Sequence, residues 1–267
     1  MKIGILGATG RMGVLLLREV LAGGDACTLA AAVVRDQSKA LGKDAGELAG
    51  AAACGVQVTA DAEGAFKFCD LLIDFTVPDA TLEHAALAAQ YAKPLVCGTT
   101  GLTAVEEAGL AVAAHKAPVL YSANMSVGMT MLAAFVEQAA SRLGPDDFDI
   151  EIFEAHHRYK TDAPSGTALL LGRAAAQGRG VRLDDAMIPT RFGPTGARIT
   201  GSIGMSVFRG GDVVGDHTVT FAGEGERIEF SHKVSNRAVF ARGALRGAMW
   251  LKDKPPGLYT MKDALGL

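Results

Sequence analysis

Chemistry-bearing side chains crowd into one run of this chain, Glu154-Ala155-His156-His157-Arg158-Tyr159-Lys160-Thr161-Asp162-Ala163-Pro164-Ser165-Gly166-Thr167. An imidazole titrates near neutrality, and a lysine crowded by other cations gives up its proton more readily. His156, His157 or Lys160 is therefore suited to hand a proton to an atom that gains hydride electrons. Pro164 and Ser165 read as a helix start with Ser165 as N-cap. The first-turn N–H groups at Gly166 and Thr167, with the Thr167 hydroxyl, then make a seat for a carboxylate. The bland reading is a solvated loop, the usual fate of a Lys such as Lys160. Adjacent His156 and His157 are poorly placed to chelate one ion, and no Cys or acidic partner falls at ligand spacing, so no metal is expected. Asp162 reads as a loop organiser that accepts backbone N–H bonds. Ser165 lacks the Gly-x-Ser-x-Gly elbow of a nucleophile.

A second constellation lies at the start of the chain. Gly7-Ala8-Thr9-Gly10-Arg11-Met12-Gly13 follows an apolar strand and opens a helix. Glycines at this spacing permit a tight turn and close approach of the backbone to a pyrophosphate, which the helix N-terminus then faces. A Gly-rich turn alone is weak evidence, but a strand before it and a helix after it supply the context of a dinucleotide site. Where the second strand ends, Val34-Arg35-Asp36 replaces the usual single acid. Arg35 suits the 2′-phosphate of NADP, and Asp36 suits the ribose of NAD. Gly98-Thr99-Thr100-Gly101 and Ser122-Ala123-Asn124-Met125-Ser126 each follow a further apolar strand, at the sheet edge where such folds bind ligands.

The elements that must hold these residues alternate. Near-continuous apolar runs at Lys2–Leu6, Leu29–Val34, Leu71–Phe75, Pro94–Cys97 and Pro118–Tyr121 predict parallel strands buried on both faces. Helix patterns at Arg11–Leu21, Asp79–Tyr91 and Thr103–His115 separate them, with Asp79 and Thr103 as expected N-caps. The Ala- and Gly-rich stretch 39–62 shows no clear period. After Val127 the pattern changes to a long helix to Leu143, a strand over Phe148–Phe153 and a helix from about Ser165 to Gln177. Strands follow near Ser202–Phe208, Val213–Phe221 and Arg227–Val234, with Gly210-Gly211 and Gly223-Glu224-Gly225 as hairpin signals. The last helix, Ala238–Leu251, has no sheet of its own and is expected to return to the first domain. The predicted layout is a doubly wound α/β domain (1–126 plus 237–267) with an inserted mixed α/β domain (127–236).

Composition bounds the rest. A 267-residue chain, 49% hydrophobic with a formal net charge of −3, is that of a globular protein without the basic face of a nucleic-acid binder. No run reaches a membrane span, and the N-terminus lacks a signal-peptide layout. Cys27, Cys54, Cys69 and Cys97 form no Cys-x-x-Cys pair, as expected of small buried residues in a reducing, cytoplasmic setting.

The motifs taken in order resemble one family. Gly-Ala-x-Gly-Arg-Met-Gly, Gly-Thr-Thr-Gly, Ala-Asn-x-Ser and above all Glu-Ala-His-His-Arg-x-Lys-x-Asp-Ala-Pro-Ser-Gly-Thr-Ala are similar to the 4-hydroxy-tetrahydrodipicolinate (dihydrodipicolinate) reductases of lysine biosynthesis. The resemblance runs essentially end to end. It implies a Rossmann-type domain, an inserted substrate domain that also makes a homotetramer, NADPH or NADH as cofactor, and a small dicarboxylate substrate. It also implies catalytic roles for His156 and Lys160 and substrate contacts from His157, Gly166 and Thr167. Cofactor contacts would come from Gly7, Ala8, Thr9, Gly10, Arg11, Met12, Arg35, Gly98, Thr99, Thr100, Ser122, Ala123, Asn124 and Met125. Two departures stand out: Thr9 where Gly is commoner, and Val34 where many members carry Glu. Another two-domain NAD(P)-dependent oxidoreductase and a non-catalytic NADP-binding regulator are the competing readings.

Overall fold

The computed structural model describes residues 1–189 and 191–267 and divides into two compact units, Met1–Val127 with Arg237–Leu267, and Gly128–Asn236. In chain order the first unit opens β1 (Lys2–Leu6), α1 (Arg11–Ala22), β2 (Thr28–Val33), α2 (Ala45–Leu48), β3 (Val58–Thr59) and α3 (Ala62–Phe68). It continues with β4 (Leu71–Asp74), α4 (Pro78–Tyr91), β5 (Leu95–Cys97), α5 (Ala104–Ala114) and β6 (Pro118–Tyr121). Next come α6 (Val127–Arg142), β7 (Asp149–His156), α7 (Gly166–Gly178), α8 (Leu183–Ala186), β8 (Met187–Ile188), β9 (Ile203–Arg209), β10 (Gly215–Gly223) and β11 (Glu226–Val234). The chain then re-enters the first unit with α9 (Ala238–Leu251), β12 (Gly257–Tyr259) and α10 (Met261–Leu265).

The first unit is built on a parallel seven-stranded sheet in the order β12-β6-β5-β4-β1-β2-β3. Successive side chains of a strand point to opposite faces, and here both faces are buried. Ile3, Ile5, Leu71 and Ile73 pack with Leu16, Leu17 and Val20 of α1 and Ala244, Ala248 and Leu251 of α9. Leu6, Leu72, Leu95 and Val119 pack in a second cluster with Phe66, Ala85, Ala88 and Leu110 of α3, α4 and α5. Each fully buried Leu or Ile contributes roughly 1.5–3 kcal/mol. The registers Leu6↔Val33, Leu6↔Asp74, Asp74↔Cys97 and Cys97↔Tyr121 end five strands in one row. Their following loops therefore leave one edge of the sheet.

The second unit holds a mixed five-stranded sheet, β11-β10-β7-β9-β8. Its core gathers Ile150 and Ile152 of β7, Val219 and Phe221 of β10, Leu132 and Val136 of α6, and Leu171 and Ala175 of α7.

Three sequence expectations need correcting, and one unplaced stretch is resolved. Gly210-Gly211 is not a hairpin turn, because β7 lies between β9 and β10, parallel to the first and antiparallel to the second. Asp79 is not an N-cap: Val77 holds that position, Pro78 starts α4, and Asp79 sits in the first turn beside the positive end of the helix dipole. The strand read as ending at Phe153 runs on to His156, because Ala155 and His156 still pair with Asp216 and Arg209. The stretch 39–62 is organised by Asp44, whose carboxylate caps α2 through Gly46 and Glu47 and also accepts from the N–H groups of Cys54 and Gly55. Thr103 does cap α5, in a capping box with Glu106.

Candidate functional site

In the first unit, the Gly-x-x-Gly-x-x-Gly turn lies between β1 and α1. Gly7 has φ +84°, and a Cβ on it would stand 2.7 Å from the Phe75 carbonyl oxygen. A Cβ on Gly13 would stand 2.1 Å from the Gly7 carbonyl, so α1 rests on the turn only because no side chain intervenes. Gly10 is the N-cap and supplies no capping side chain. The first-turn N–H groups of Arg11, Met12 and Gly13 have no carbonyl one turn earlier within the helix, which is the arrangement a pyrophosphate needs. Thr9, Gly10 and Arg11 are exposed, whereas Ala8 is buried and donates its N–H to the Val33 carbonyl at 3.0 Å. Ala8 thus shapes the turn from beneath.

The other loops of this edge divide in the same way. Val34 is buried in the core, so the exposed polar side chains after β2 begin with Arg35 and Asp36. After β5, a Cβ on Gly98 would overlap the Phe75 ring at 2.2 Å. Thr99 is buried, and its hydroxyl accepts from the Thr76 N–H (3.1 Å) and the Thr81 hydroxyl (2.8 Å). Thr76 and His84 in turn bond the buried Asp74 carboxylate. Thr99 therefore anchors the loop, and the exposed Thr100 presents its face. After β6, the Ser122 hydroxyl donates to the Asn124 carbonyl at 2.7 Å, and the Asn124 side chain accepts from the Ser126 N–H at 2.9 Å. Ala123 is exposed on this loop, and Met125 is buried. Its carbonyl lies so near α9 that a Cβ on Gly243 would meet it at 1.7 Å. Phe75 and Thr76, which touch both glycine turns, read in the sequence only as a strand end.

In the second unit, β7 delivers His156 as its last residue, and His157 and Lys160 follow in the connection to α7. The Ser165 hydroxyl caps α7 by accepting from the Ala168 N–H at 3.1 Å. Open space surrounds the position of a Cβ on Gly166. Glu154, two residues before His156 on the same strand face, is 1% exposed. Its carboxylate accepts from His156 Nδ1 at 2.5 Å, from Arg209 at 2.8 and 2.7 Å, and from the Ser165 N–H at 3.0 Å. Burial alone would raise its pKa, but the bonds from His156, Arg209 and Ser165 prevail and lower it to about 2. Arg209 also donates to the Asp162 carbonyl at 2.6 Å, and the Asp162 carboxylate holds Lys160 at 2.9 Å.

His217, on β10 directly across from Glu154, completes the cluster. Its Nε2 lies 3.3 Å from the Ser165 hydroxyl, and its ring meets His156 edge-on at 5.1 Å between centroids. Burial, and then the neighbouring His156, push its pKa down to about 4. Glu154, His156 and His217 do bring one ligand atom each within 4.8 Å of one another, a triad the sequence did not disclose. The Glu154 oxygens there are already engaged by Arg209, His156 and Ser165. Glu154, Arg209 and His217 are the members that sequence reasoning missed. Two of them lie more than fifty positions from their partners, on strands whose order only the fold reveals.

A nucleotide-type turn on a parallel sheet and a histidine–lysine cluster on a separate mixed sheet define a two-domain, nucleotide-dependent reductase. The family model "Dihydrodipicolinate reductase, N-terminus" matches residues 1–125, and its C-terminal counterpart matches residues 128–265. The chain belongs to the dihydrodipicolinate reductase family. The C-terminal half of that model includes α9, β12 and α10, which fold into the first unit. The 4-hydroxy-tetrahydrodipicolinate reductase of Rhizobium rhizogenes is 52% identical over 267 residues, covering 100% of this chain and 97% of the relative. That of Cereibacter sphaeroides is 52% identical over 263 residues, with 98% and 97% covered. Among solved structures, the dipicolinate-bound dihydrodipicolinate reductase from Paenisporosarcina sp. TG-14 matches with a TM-score of 0.76, 24% identity and 97% coverage of both chains. The amine dehydrogenase from Mycobacterium smegmatis matches with a TM-score of 0.62 at 12% identity, over 98% of this chain and 95% of that one, a likeness of fold alone.

Proposed function

We propose that the chain catalyses the NAD(P)H-dependent reduction of 4-hydroxy-tetrahydrodipicolinate to tetrahydrodipicolinate, with loss of water, in the diaminopimelate route to lysine. The observation that carries this reading is the end-to-end match to reductases of that name, with the His156–Thr167 run intact. A regulator that had merely kept a nucleotide-binding domain would have no use for the Glu154–His156–Lys160 cluster. A semialdehyde dehydrogenase would need a reactive Cys, but burial raises the thiol pKa values of Cys69 and Cys97 to about 11 and about 12.

The nicotinamide cofactor, when bound, supplies the hydride. In the first unit, Gly7, Thr9, Gly10, Arg11 and Met12 hold the pyrophosphate at the start of α1, with Ala8 buttressing the turn. Arg35 meets the adenosine ribose or its 2′-phosphate. Gly98, Thr99 and Thr100 with Ser122, Ala123, Asn124 and Met125 shape the opposite end of that groove. In the second unit, the first turn of α7 at Gly166 and Thr167, together with His157, binds the carboxylates of a flat, doubly anionic ring. His156 and Lys160 deliver the proton that balances the hydride. Lys160 rests on Asp162, whose pKa is lowered: burial opposes ionisation, but the bond from Lys160 outweighs it.

The site is assigned to a homotetramer in the cytoplasm. Self-association of the second unit is supported by Phe153 and Phe208, large apolar side chains exposed on the same face of its sheet. Among the described residues, no helix is long and apolar enough to cross a membrane. The test of the reading is initial-rate oxidation of NADPH and NADH in parallel by freshly generated substrate. Each of His156→Ala and Lys160→Ala is expected to lower turnover by roughly 10²–10⁴-fold. Near-normal turnover in both variants would overturn the residue assignments, and no oxidation of either nucleotide by the unaltered protein would overturn the activity.

A further inference from the structure

We infer that Glu154 and Arg209 form a positioning couple that fixes the ring of His156 with a proton on Nδ1, so that Nε2 is the atom that exchanges protons with the substrate. The inference rests on the proposed reductase reading. It assigns roles to two residues that belong to neither the cofactor nor the substrate contacts.

Lone pairs on Glu154 decide which ring nitrogen carries the proton. One Glu154 oxygen accepts from Arg209 and from the Ser165 N–H, at 2.7 and 3.0 Å, and the other accepts from Arg209 and from His156 Nδ1, at 2.8 and 2.5 Å. Four donors converge on one buried carboxylate, which remains ionised far below neutral pH. An ionised carboxylate only accepts, so His156 Nδ1 must be the donor. Nε2 is then left to gain or lose a proton while Nδ1–H stays on Glu154. The charged groups around this ring are Glu154 on β7, bonded to it, and Arg209 on β9, bonded to Glu154, with Lys160 and Asp162 in the loop before α7 linked through Arg209. His217 on β10 is the other titratable neighbour.

Room at Nε2 is kept by Gly215, whose Cβ, if present, would stand 3.1 Å from that atom. Arg209 reaches further than Glu154. By donating to the Asp162 carbonyl it also ties down the loop that carries Lys160. One guanidinium thus sets both proton-handling groups against the capped start of α7. In turnover, the Nε2–H bond of the imidazolium breaks, its proton bonds to the substrate atom made basic by hydride addition, and the neutral Nδ1–H tautomer remains.

Glu154→Gln gives the sharpest test. Of the four donors only His156 can turn into an acceptor, so the Gln carbonyl oxygen keeps the place that accepts from Ser165 N–H and one Arg209 nitrogen, and its NH₂ takes the place shared by His156 Nδ1 and the other Arg209 nitrogen. A donor there forces Nδ1 to accept and moves the ring proton to Nε2. Histidine ¹⁵N NMR of the full-length protein reads the tautomer without turnover. Wild type is expected to hold Nδ1–H and Glu154→Gln to hold Nε2–H, with kcat down on the order of 10²-fold and KM little changed. The double variant Glu154→Gln/Arg209→Met removes both charges. It is expected to recover stability lost in the single variant without recovering kcat. Wild-type kcat in the double variant, or an unchanged tautomer in Glu154→Gln, would overturn the inference by reducing the couple to charge balance. A wild-type protein with the expected tautomer but no reductase activity would sink the functional reading instead.

Discussion

Replacing His217 by Gln should remove a specific pH dependence of stability. His217 is 4% exposed between β7 and α7, and burial with the nearby His156 holds its pKa at about 4 against 6.5 for a free imidazole. Between those values the unfolded chain binds a proton that the folded chain refuses. Stability is therefore fully present above 6.5 and falls as the pH falls towards 4. The gap from 6.5 to about 4 is worth about 3 kcal/mol by the time the lower value is reached. Chemical denaturation of wild type and His217→Gln at about pH 7.5 and about pH 4.5 measures it. Wild type should lose roughly 2–3 kcal/mol more than the variant over that interval. Shared titrations cancel in the comparison, including that of Glu154, whose depressed pKa of about 2 makes its own contribution vanish only below 4.5. Loss of the contact to Ser165 shifts the variant by the same amount at every pH, so the slope is the readout. Equal slopes would refute the claim that a neutral imidazole is enforced by burial at this position.

Three further outcomes follow from the same geometry. Ser165→Ala deletes the cap on Ala168 and the contact to His217, and should cost about 1 kcal/mol of stability while raising KM for the dicarboxylate more than it lowers kcat; thermal denaturation and steady-state kinetics check both. Gly98→Ala drives a methyl group into the Phe75 ring, where the Cβ would lie 2.2 Å from it, and should cost about 1–3 kcal/mol and weaken nucleotide binding in a titration with NADPH. Arg35→Ser should raise KM for NADPH about tenfold and leave NADH nearly unaffected, as the exposed position of Arg35 beside a buried Val34 implies.

Much of the nucleotide-binding unit was legible because its signals are local. Parallel strands buried on both faces appear as unbroken apolar runs, and the glycines at 7, 10 and 13 announce the turn between β1 and α1. Thr103 and Glu106 wrote the start of α5 into four residues. Local signals failed where long-range pairing decided. Gly210-Gly211 has hairpin chemistry, yet β9 and β10 are separated by β7, a strand more than forty residues earlier. Asp44 organises its stretch through four backbone donors, a role that no periodicity reveals. In the cluster around Glu154 the His156, Lys160 and Ser165 positions were readable. The charges that set their geometry were not, because Arg209 reaches Glu154 across 55 positions and only the parallel pairing of β7 and β9 brings them together.

Hydride transfer from a nicotinamide to the ring of 4-hydroxy-tetrahydrodipicolinate is measured directly by isotope transfer. With cofactor deuterated on both hydrogens at nicotinamide C4, mass spectrometry of the tetrahydrodipicolinate formed should find one carbon-bound deuterium for each nucleotide oxidised. Product without deuterium, or substrate left unreduced while the nucleotide stays intact, would contradict the account.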